Sequence, residues 1–262
     1  LPGGLPMSAI FACVIFAAVS GSSPATVAAI GSIMIGAIQQ DGYSERFSVG
    51  SIVSSGSLGI LMPPSIILIV YGVTVDQSIG ALFMAGIVPA AFLGLMLMAV
   101  TYVAAVKGGH KRKPMAPLSE IWASFKDAIW GLMVIIIVIG GIYGGLFTPT
   151  EAAAVAAVYA FITAKFIYGD LRWKDIPQTI NTAAATAAMI MFIIANAMVF
   201  AHVLTTQQMP QDLANFIVAL DLNKYTFLIL INVMLLLAGN FMEPSSLIMI
   251  LAPLIFPIAM QL

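Results

Sequence analysis

Charge is what this chain lacks. Of its 262 residues only 8% are Asp, Glu, Lys or Arg, against about 25% in an ordinary soluble domain. It has too little polar material to cover its own surface in water. That excludes a water-soluble enzyme and a disordered chain. The few charges nearly cancel, at a net −1, so no basic field exists to gather nucleic acid or phosphate. Cysteine is almost missing as well: Cys13 stands alone, which excludes an internal disulfide framework and a thiolate metal cluster. What is abundant is apolar, 61% of the chain, with a mean hydropathy of +1.07. This is the composition of an all-α integral membrane protein set in a lipid bilayer.

The scarce charges mark the topology. Stretches 1–40, 47–75, 77–106, 128–150, 176–211, 225–242 and 244–262 contain none, and a spanning helix needs roughly 20 apolar residues. Lys107, His110, Lys111, Arg112 and Lys113 form the strongest basic cluster, with Arg172 and Lys174 a weaker one. The positive-inside rule puts both loops in the cytoplasm. Two crossings, 128–146 and 148–168, separate them. Counting backward, 78–106 and 48–74 are two more crossings, which leaves Asp41–Arg46 in the cytoplasm. Counting forward, 177–206 crosses outward and places 207–224 outside. Two short segments, 118–129 and 210–220, carry an apolar stripe at helical spacing opposite a polar face. Each reads as an interfacial helix in the headgroup plane or as a helix packed on further polypeptide. The expected organisation is a first part, 1–106, then a basic cytoplasmic loop with an interfacial helix, 107–127, then a second part, 128–262. The chain starts at Leu1 and stops within an apolar run, so a fragment of a longer protein is expected.

The apolar runs are punctuated in their middles. Ser20-Gly21-Ser22-Ser23-Pro24 interrupts 5–40. Proline ends a helix upstream and suits the first turn of the next, with a serine as its cap. This predicts two half-helices in a re-entrant hairpin; the alternative is a single proline-kinked span. Gly59-Ile60-Leu61-Met62-Pro63-Pro64-Ser65 breaks 48–74, and Gly239-Asn240-Phe241-Met242-Glu243-Pro244-Ser245-Ser246 breaks 224–262. Phe147-Thr148-Pro149-Thr150-Glu151 is either a fourth break or a turn between full helices. Irregular backbone at membrane depth is costly unless it is buried in protein or lines a cavity. Its free carbonyls suit a hard cation, and its free N–H groups, at the positive end of a helix, suit a carboxylate. A shift of 220 residues lays Pro24 on Pro244 with flanks of about 16 apolar residues each, and the topology gives the two hairpins opposite mouths. That is the pattern of an inverted repeat.

Four segments together, Gly21-Ser22-Ser23-Pro24-Ala25-Thr26-Val27-Ala28-Ala29-Ile30-Gly31, Gly59–Ser65, Gly145-Leu146-Phe147-Thr148-Pro149-Thr150-Glu151-Ala152-Ala153-Ala154 and the break at Glu243-Pro244, closely resemble the large membrane subunit of TRAP (tripartite ATP-independent periplasmic) transporters. The resemblance runs the whole chain in family order. It implies an inverted-repeat, elevator-type transporter in the bacterial inner membrane, with two re-entrant hairpins and broken helices. It implies coupling to Na⁺, a small organic anion such as a C4-dicarboxylate as cargo, a periplasmic substrate-binding protein and a small membrane subunit. It also implies further helices before the first hairpin and a further broken helix after the second.

Ser22, Ser23, Gly59 and Met62 are the candidate sodium site, mainly through backbone carbonyls and hydroxyls; alternatively the serines only cap helices. Thr148, Thr150, Asn240, Glu243, Ser245 and Ser246 are candidates for the substrate or a second cation. Glu151 and Glu243 are carboxylates set among apolar residues, a functional signal in a membrane, yet Thr148–Glu151 also fits a capping box. Asn196 and Asn232 are expected to bond between helices, and His202 to be structural. Of the rivals, an intramembrane hydrolase would need His-Glu-x-x-His, Gly-x-Ser-x-Gly or paired aspartates, and the sequence has none. A divalent-anion/sodium symporter working without a binding protein shares the hairpin logic. No phosphate loop is present, so ATP has no part.

Overall fold

The computed structural model describes residues 2–110, 117–208, 223–242 and 244–261, and every regular element among them is a helix. In chain order these are α1 (Gly4–Ser20), α2 (Ser23–Gln40), α3 (Glu45–Gly56), α4 (Leu58–Leu61), α5 (Ile66–Thr74), α6 (Ile79–Lys107), α7 (Leu118–Tyr143), α8 (Pro149–Ile167), α9 (Ile176–Thr206), α10 (Lys224–Ala238) and α11 (Pro244–Gln261). Among the described residues four helices are long and apolar enough to cross a bilayer. A fifth span exists if Glu45–Leu61 and Ile66–Thr74, bent by 41° at their break, count as one. The chain divides into two compact units, one of Leu1–Leu68 with Ile79–Arg172, the other of Ile69–Ser78 with Trp173–Leu262. The expected interfacial segment 210–220 lies outside the described residues.

In the first unit α1 and α2 pack against each other, and α3, α4 and α6 close around them. Lipid is as apolar as leucine, so hydrophobicity gives helices in it little reason to associate; close van der Waals contact does, and small residues permit it. Here they do so repeatedly. Cβ atoms placed on Gly31, Gly86 and Gly94 would meet Ile52, the Leu61 carbonyl and Val14 at 3.4, 2.7 and 3.3 Å. Ala9, Cys13, Ile38, Ile52 and Ala105 form one buried cluster, and Ile10, Ala17 and Leu58 another. Outward faces carry the reverse pattern: Val88, Phe92 and Leu95 of α6 are 73, 64 and 63% exposed, as a lipid-facing helix requires.

At one end of this unit the buried Tyr43 stacks on His110 at 3.7 Å and on Phe47 at 5.1 Å, which ties the α2–α3 turn to the end of α6. Burial and the nearby Asp41 push its phenol pKa up, opposed by the Gly3 N–H at its oxygen.

The α7 helix departs from expectation. Residues 118–129, read as a separate interfacial helix, run on without interruption to Tyr143. No proline stands between Pro117 and Pro149, so nothing ends the helix where its polarity changes. Two tyrosines of the α8 segment secure it: Tyr159 Oη donates to Trp130 O at 2.9 Å and Tyr168 Oη to Asp127 O at 2.6 Å. The π-helical turn Ile136–Gly140 sits within α7. The α7–α8 connection is a turn between two full helices. Gly145 takes φ 69°, and Gly141 lets the Phe147 ring come so close that a Cβ would lie 2.5 Å from it.

In the second unit α9 packs on α11, and α10 meets α11 through Phe227, Ile231, Ile255 and Ile258.

Gly59 meets backbone on several atoms at once: its Cβ would sit 2.7 Å from Ser22 C and O and 2.8 Å from Ser23 N, whereas Gly50 has nothing within 4 Å. Gly59→Ala is expected to lower stability by about 1–3 kcal/mol, as overpacking does, and Gly50→Ala, with open space inside a helix, to leave it unchanged or raise it by up to about 1 kcal/mol. Thermal unfolding of the two variants side by side in one detergent checks this.

Candidate functional site

The first break is built by local chemistry. α1 ends because Gly21 turns into the left-handed region, φ 59° and ψ 15°, where its N–H still reaches Ala17 O at 2.9 Å; a side chain there costs about 1–2 kcal/mol. Ser22 then caps α2: it is extended, and its Oγ accepts from Ala25 N at 3.5 Å, with Pro24 in the first turn. One turn on, Thr26 is fully buried and points its hydroxyl back at the tip. It donates to Ser22 O at 2.8 Å and lies 3.1 Å from Ser20 Oγ.

The second break is a proline stop. Met62 leaves the helix in an extended conformation, Pro63 and Pro64 follow through a cis peptide, and α5 resumes at Ile66. Two missing N–H groups orphan carbonyls of the helix before them. Ser65, itself fully buried, answers one of these by donating from Oγ to Ile60 O at 2.5 Å.

The two breaks interlock. Ile66 N–H donates to Gly21 O at 3.2 Å. A Cβ on Gly21 would lie 2.7 Å from Pro64 O, while Gly59 rests on the backbone of Ser22 and Ser23. Helix C-termini, with their partial negative charge, and helix N-termini, with their partial positive charge, therefore converge on one point. The atoms gathered are Gly21 O, Ser22 O, Pro64 O and the hydroxyls of Ser20, Ser22 and Thr26. Ser22 O already accepts from both the N–H and the hydroxyl of Thr26. Gly21 O accepts only from Ile66, which leaves a lone pair. This is an uncharged, all-oxygen donor set, and it fits a small hard monovalent cation.

Of the sequence candidates, Ser22, Ser23 and Gly59 come together here. Met62 opens the break with its backbone, while its side chain packs on the Ile10–Ala17–Leu58 cluster. Gly59 supplies close approach. Sequence reasoning missed Ser20, Thr26 and Ser65; the readable signal was a hydroxyl one turn after a cap, and one directly after a proline pair.

The second candidate set divides between the units. Thr148 and Thr150 are in the first. Thr148 forms a complete capping box: Glu151 Oε2 accepts from its N at 2.8 Å and its Oγ1 at 2.9 Å, and Oγ1 accepts from Glu151 N at 3.3 Å. Both side chains are thereby used in starting α8, and Thr150 is exposed in its first turn. Asn240, Ser245 and Ser246 are in the second unit. The Asn240 amide donates to Leu236 O at 2.6 Å, and the two serines are half-buried in the first turn of α11. Glu243 lies outside the described residues. Asn196 and Asn232, expected to bond between helices, donate instead to Phe192 O and Leu228 O one turn back in their own helices, at 2.7 and 2.8 Å. An amide one turn from a carbonyl meets it without any neighbour's help.

Comparison with known proteins identifies the family. A model of the family described as tripartite ATP-independent periplasmic transporter, DctM component, matches residues 1–262. The C4-dicarboxylate TRAP transporter large permease protein DctM of Pseudomonas aeruginosa is 52% identical over 260 residues, 99% of this chain and 61% of the relative. The isethionate TRAP transporter permease protein DctMQ of Oleidesulfovibrio alaskensis is 42% identical over 266 residues, 100% of this chain and 41% of the relative. The sialic acid TRAP transporter large permease protein SiaM of Vibrio cholerae is 35% identical over 263 residues, 99% and 61%. This chain thus spans about three-fifths or less of the relatives it matches. They are permeases and not enzymes, and the helices found here are those of a multi-pass inner-membrane protein. The chain belongs to the DctM family of tripartite ATP-independent periplasmic transporters.

Proposed function

We propose that this chain is the permease part of a sodium-coupled importer that receives a small organic anion from a periplasmic binding protein and carries it inward by an elevator movement. The observation that carries the reading is the interlock of two helix breaks, where Gly21 O, Ser20 Oγ, Ser22 Oγ and Thr26 Oγ1 supply neutral oxygens to a cation without a carboxylate. A bound Na⁺ would hold the α1–α2 tip against the α4–α5 break. Its positive charge, with the N-terminal dipoles beside it, favours an anionic substrate nearby. In this reading Thr26 is both a ligand and a positioning residue: besides offering its own oxygen, its hydroxyl fixes the direction of Ser22 O and orients Ser20.

The names of the relatives support the cargo class. Three that are 45–52% identical are named for C4-dicarboxylates, and others for isethionate and sialic acid; all of these are organic anions at neutral pH. A C4-dicarboxylate is therefore the proposed substrate. A small membrane subunit is the proposed partner, in keeping with a relative named DctMQ. Transport is assigned to the whole assembly, with this chain as the piece that holds the first cation site. The hairpin α1–α2 is proposed to enter and leave by the cytoplasmic face, and α10–α11 by the outer face.

Two outcomes test this. Proteoliposomes holding the full-length permease, its small subunit and its binding protein should accumulate succinate only under an inward Na⁺ gradient, with no response to ATP and no uptake when K⁺ replaces Na⁺. Within that system Thr26→Val removes a hydroxyl that makes two contacts, each worth about 1 kcal/mol, so the Na⁺ concentration for half-maximal uptake should rise about tenfold or more. Thr26→Ser should stay near the parent value. Sodium dependence identical in all three proteins would remove Thr26 and the tip from the site.

A further inference from the structure

The second unit contains two adjoining hollows that the sodium interlock does not use. One, of ≈ 410 Å³, is bordered by Thr74, His202, Met198 and Pro253; the other, of ≈ 440 Å³, is bordered by Asn196 and Ser246; Ala197 and Met249 belong to both. Each volume is in the range of a small-molecule site, about 300–1,000 Å³, and the mostly apolar wall with a few polar groups is the usual make-up of one.

The polar groups of the first hollow are of unlike kinds. Thr74 Oγ1 donates to Val70 O at 2.8 Å, so its hydrogen is committed and only its lone pairs remain for a ligand. Pro253 has no N–H, so the carbonyl of Met249, one turn before it, lacks its helical donor. Both groups are acceptors. His202 is the lone ionisable residue on the border of either hollow, and its imidazole supplies N–H donors. An ionisable group within an apolar helix is a functional signal by default. The charge-derived topology is consistent with a common location: it sends the Thr74 end of α5 and the His202 end of α9 to the same, outer side.

A ligand that satisfies these groups needs an anionic oxygen for the imidazole and a hydroxyl hydrogen for Thr74 or the Met249 carbonyl. We propose that this hollow is a binding site for a small hydroxycarboxylate, with His202 holding the carboxylate and Thr74 accepting from the hydroxyl. The site is distinct from the residues of the interlock, and its assignment rests on the organic-anion reading only for the class of cargo. It makes Thr74 and His202 specificity determinants. A simple dicarboxylate fills the same space but leaves the acceptors unanswered, so the site prefers the hydroxylated acid.

The test is calorimetric binding of L-malate and of succinate, which differ by one hydroxyl, to the full-length permease in lipid nanodiscs. The parent should bind malate about 3- to 10-fold more tightly, the effect of one hydrogen bond. Thr74→Val should reduce that ratio to about one, and Thr74→Ser should restore it. His202→Gln, which keeps a neutral N–H, should weaken both acids by less than His202→Ala, for which a loss of about tenfold or more is expected. Thermal midpoints of the variants equal to the parent's establish that they are folded. Equal affinity for the two acids in the parent, no binding of either, or an unchanged affinity in His202→Ala would each overturn the site. Sodium-driven succinate uptake that persists alongside any of these results would leave the transport reading standing, whereas loss of that uptake in the parent complex would defeat the transport reading on its own.

Discussion

The structure depends on a single backbone contact, the hydrogen bond from Ile66 N–H to Gly21 O at 3.2 Å. It joins two places where a helix has been stopped inside an apolar run. Each stop alone leaves unanswered polar groups among apolar residues, and in lipid such a group costs several kcal/mol. Brought together, the stops satisfy one another. Gly21 needs a donor and finds Ile66; Ser22 O finds the Thr26 hydroxyl; Ile60 O finds Ser65. The remaining capacity is all oxygen, and that surplus is what a dehydrated cation can use.

The close approach constrains everything around it. Gly21, Gly56, Gly59 and Gly86 each stand where a Cβ would strike a neighbour below 3.0 Å. Because lipid gives apolar side chains little incentive to leave it, the first unit is held by such contacts and by the hydroxyl bridges more than by burial of large residues. The large residues face outward in many places. The same logic explains why Thr26, Ser48, Ser55 and Ser65 are fully buried: each hydroxyl satisfies a carbonyl within its own turn or break, so none needs water. The tip therefore combines rigidity with unspent polarity, a pairing suited to selecting an ion by its coordination.

Much of this was legible in the residues. Proline pairs and a Ser-Ser-Pro cap are chemical stops, and the helices end at them. The near absence of charge gave the number of apolar runs. What could not be read was which stops meet. Nothing in the order of residues says that Gly59 lies on Ser22, since that depends on α1 and α2 folding back and α4 crossing them. Periodicity also misjudged α7, where polarity changes at residue 127 without a breaking residue, so the helix simply continues. Thr148–Glu151 supported two readings, and hydrogen-bond geometry settled for a cap. Asn196 and Asn232 were misread because the nearest carbonyl, one turn away, outcompetes any partner helix. His202 looked structural along the chain, and only its place beside Thr74 and Met249 gives it a chemical setting.

Everything proposed for the first unit requires that the joined tips hold the cation. Hydrogen exchange followed by mass spectrometry on the permease in nanodiscs, in Na⁺ and then in K⁺ at equal ionic strength, measures this at the residues concerned. Amides of 20–26 and 59–66 should exchange more slowly in Na⁺ than in K⁺, while those of α7 and α8 stay the same. Identical exchange of the two tips in both salts would contradict the account.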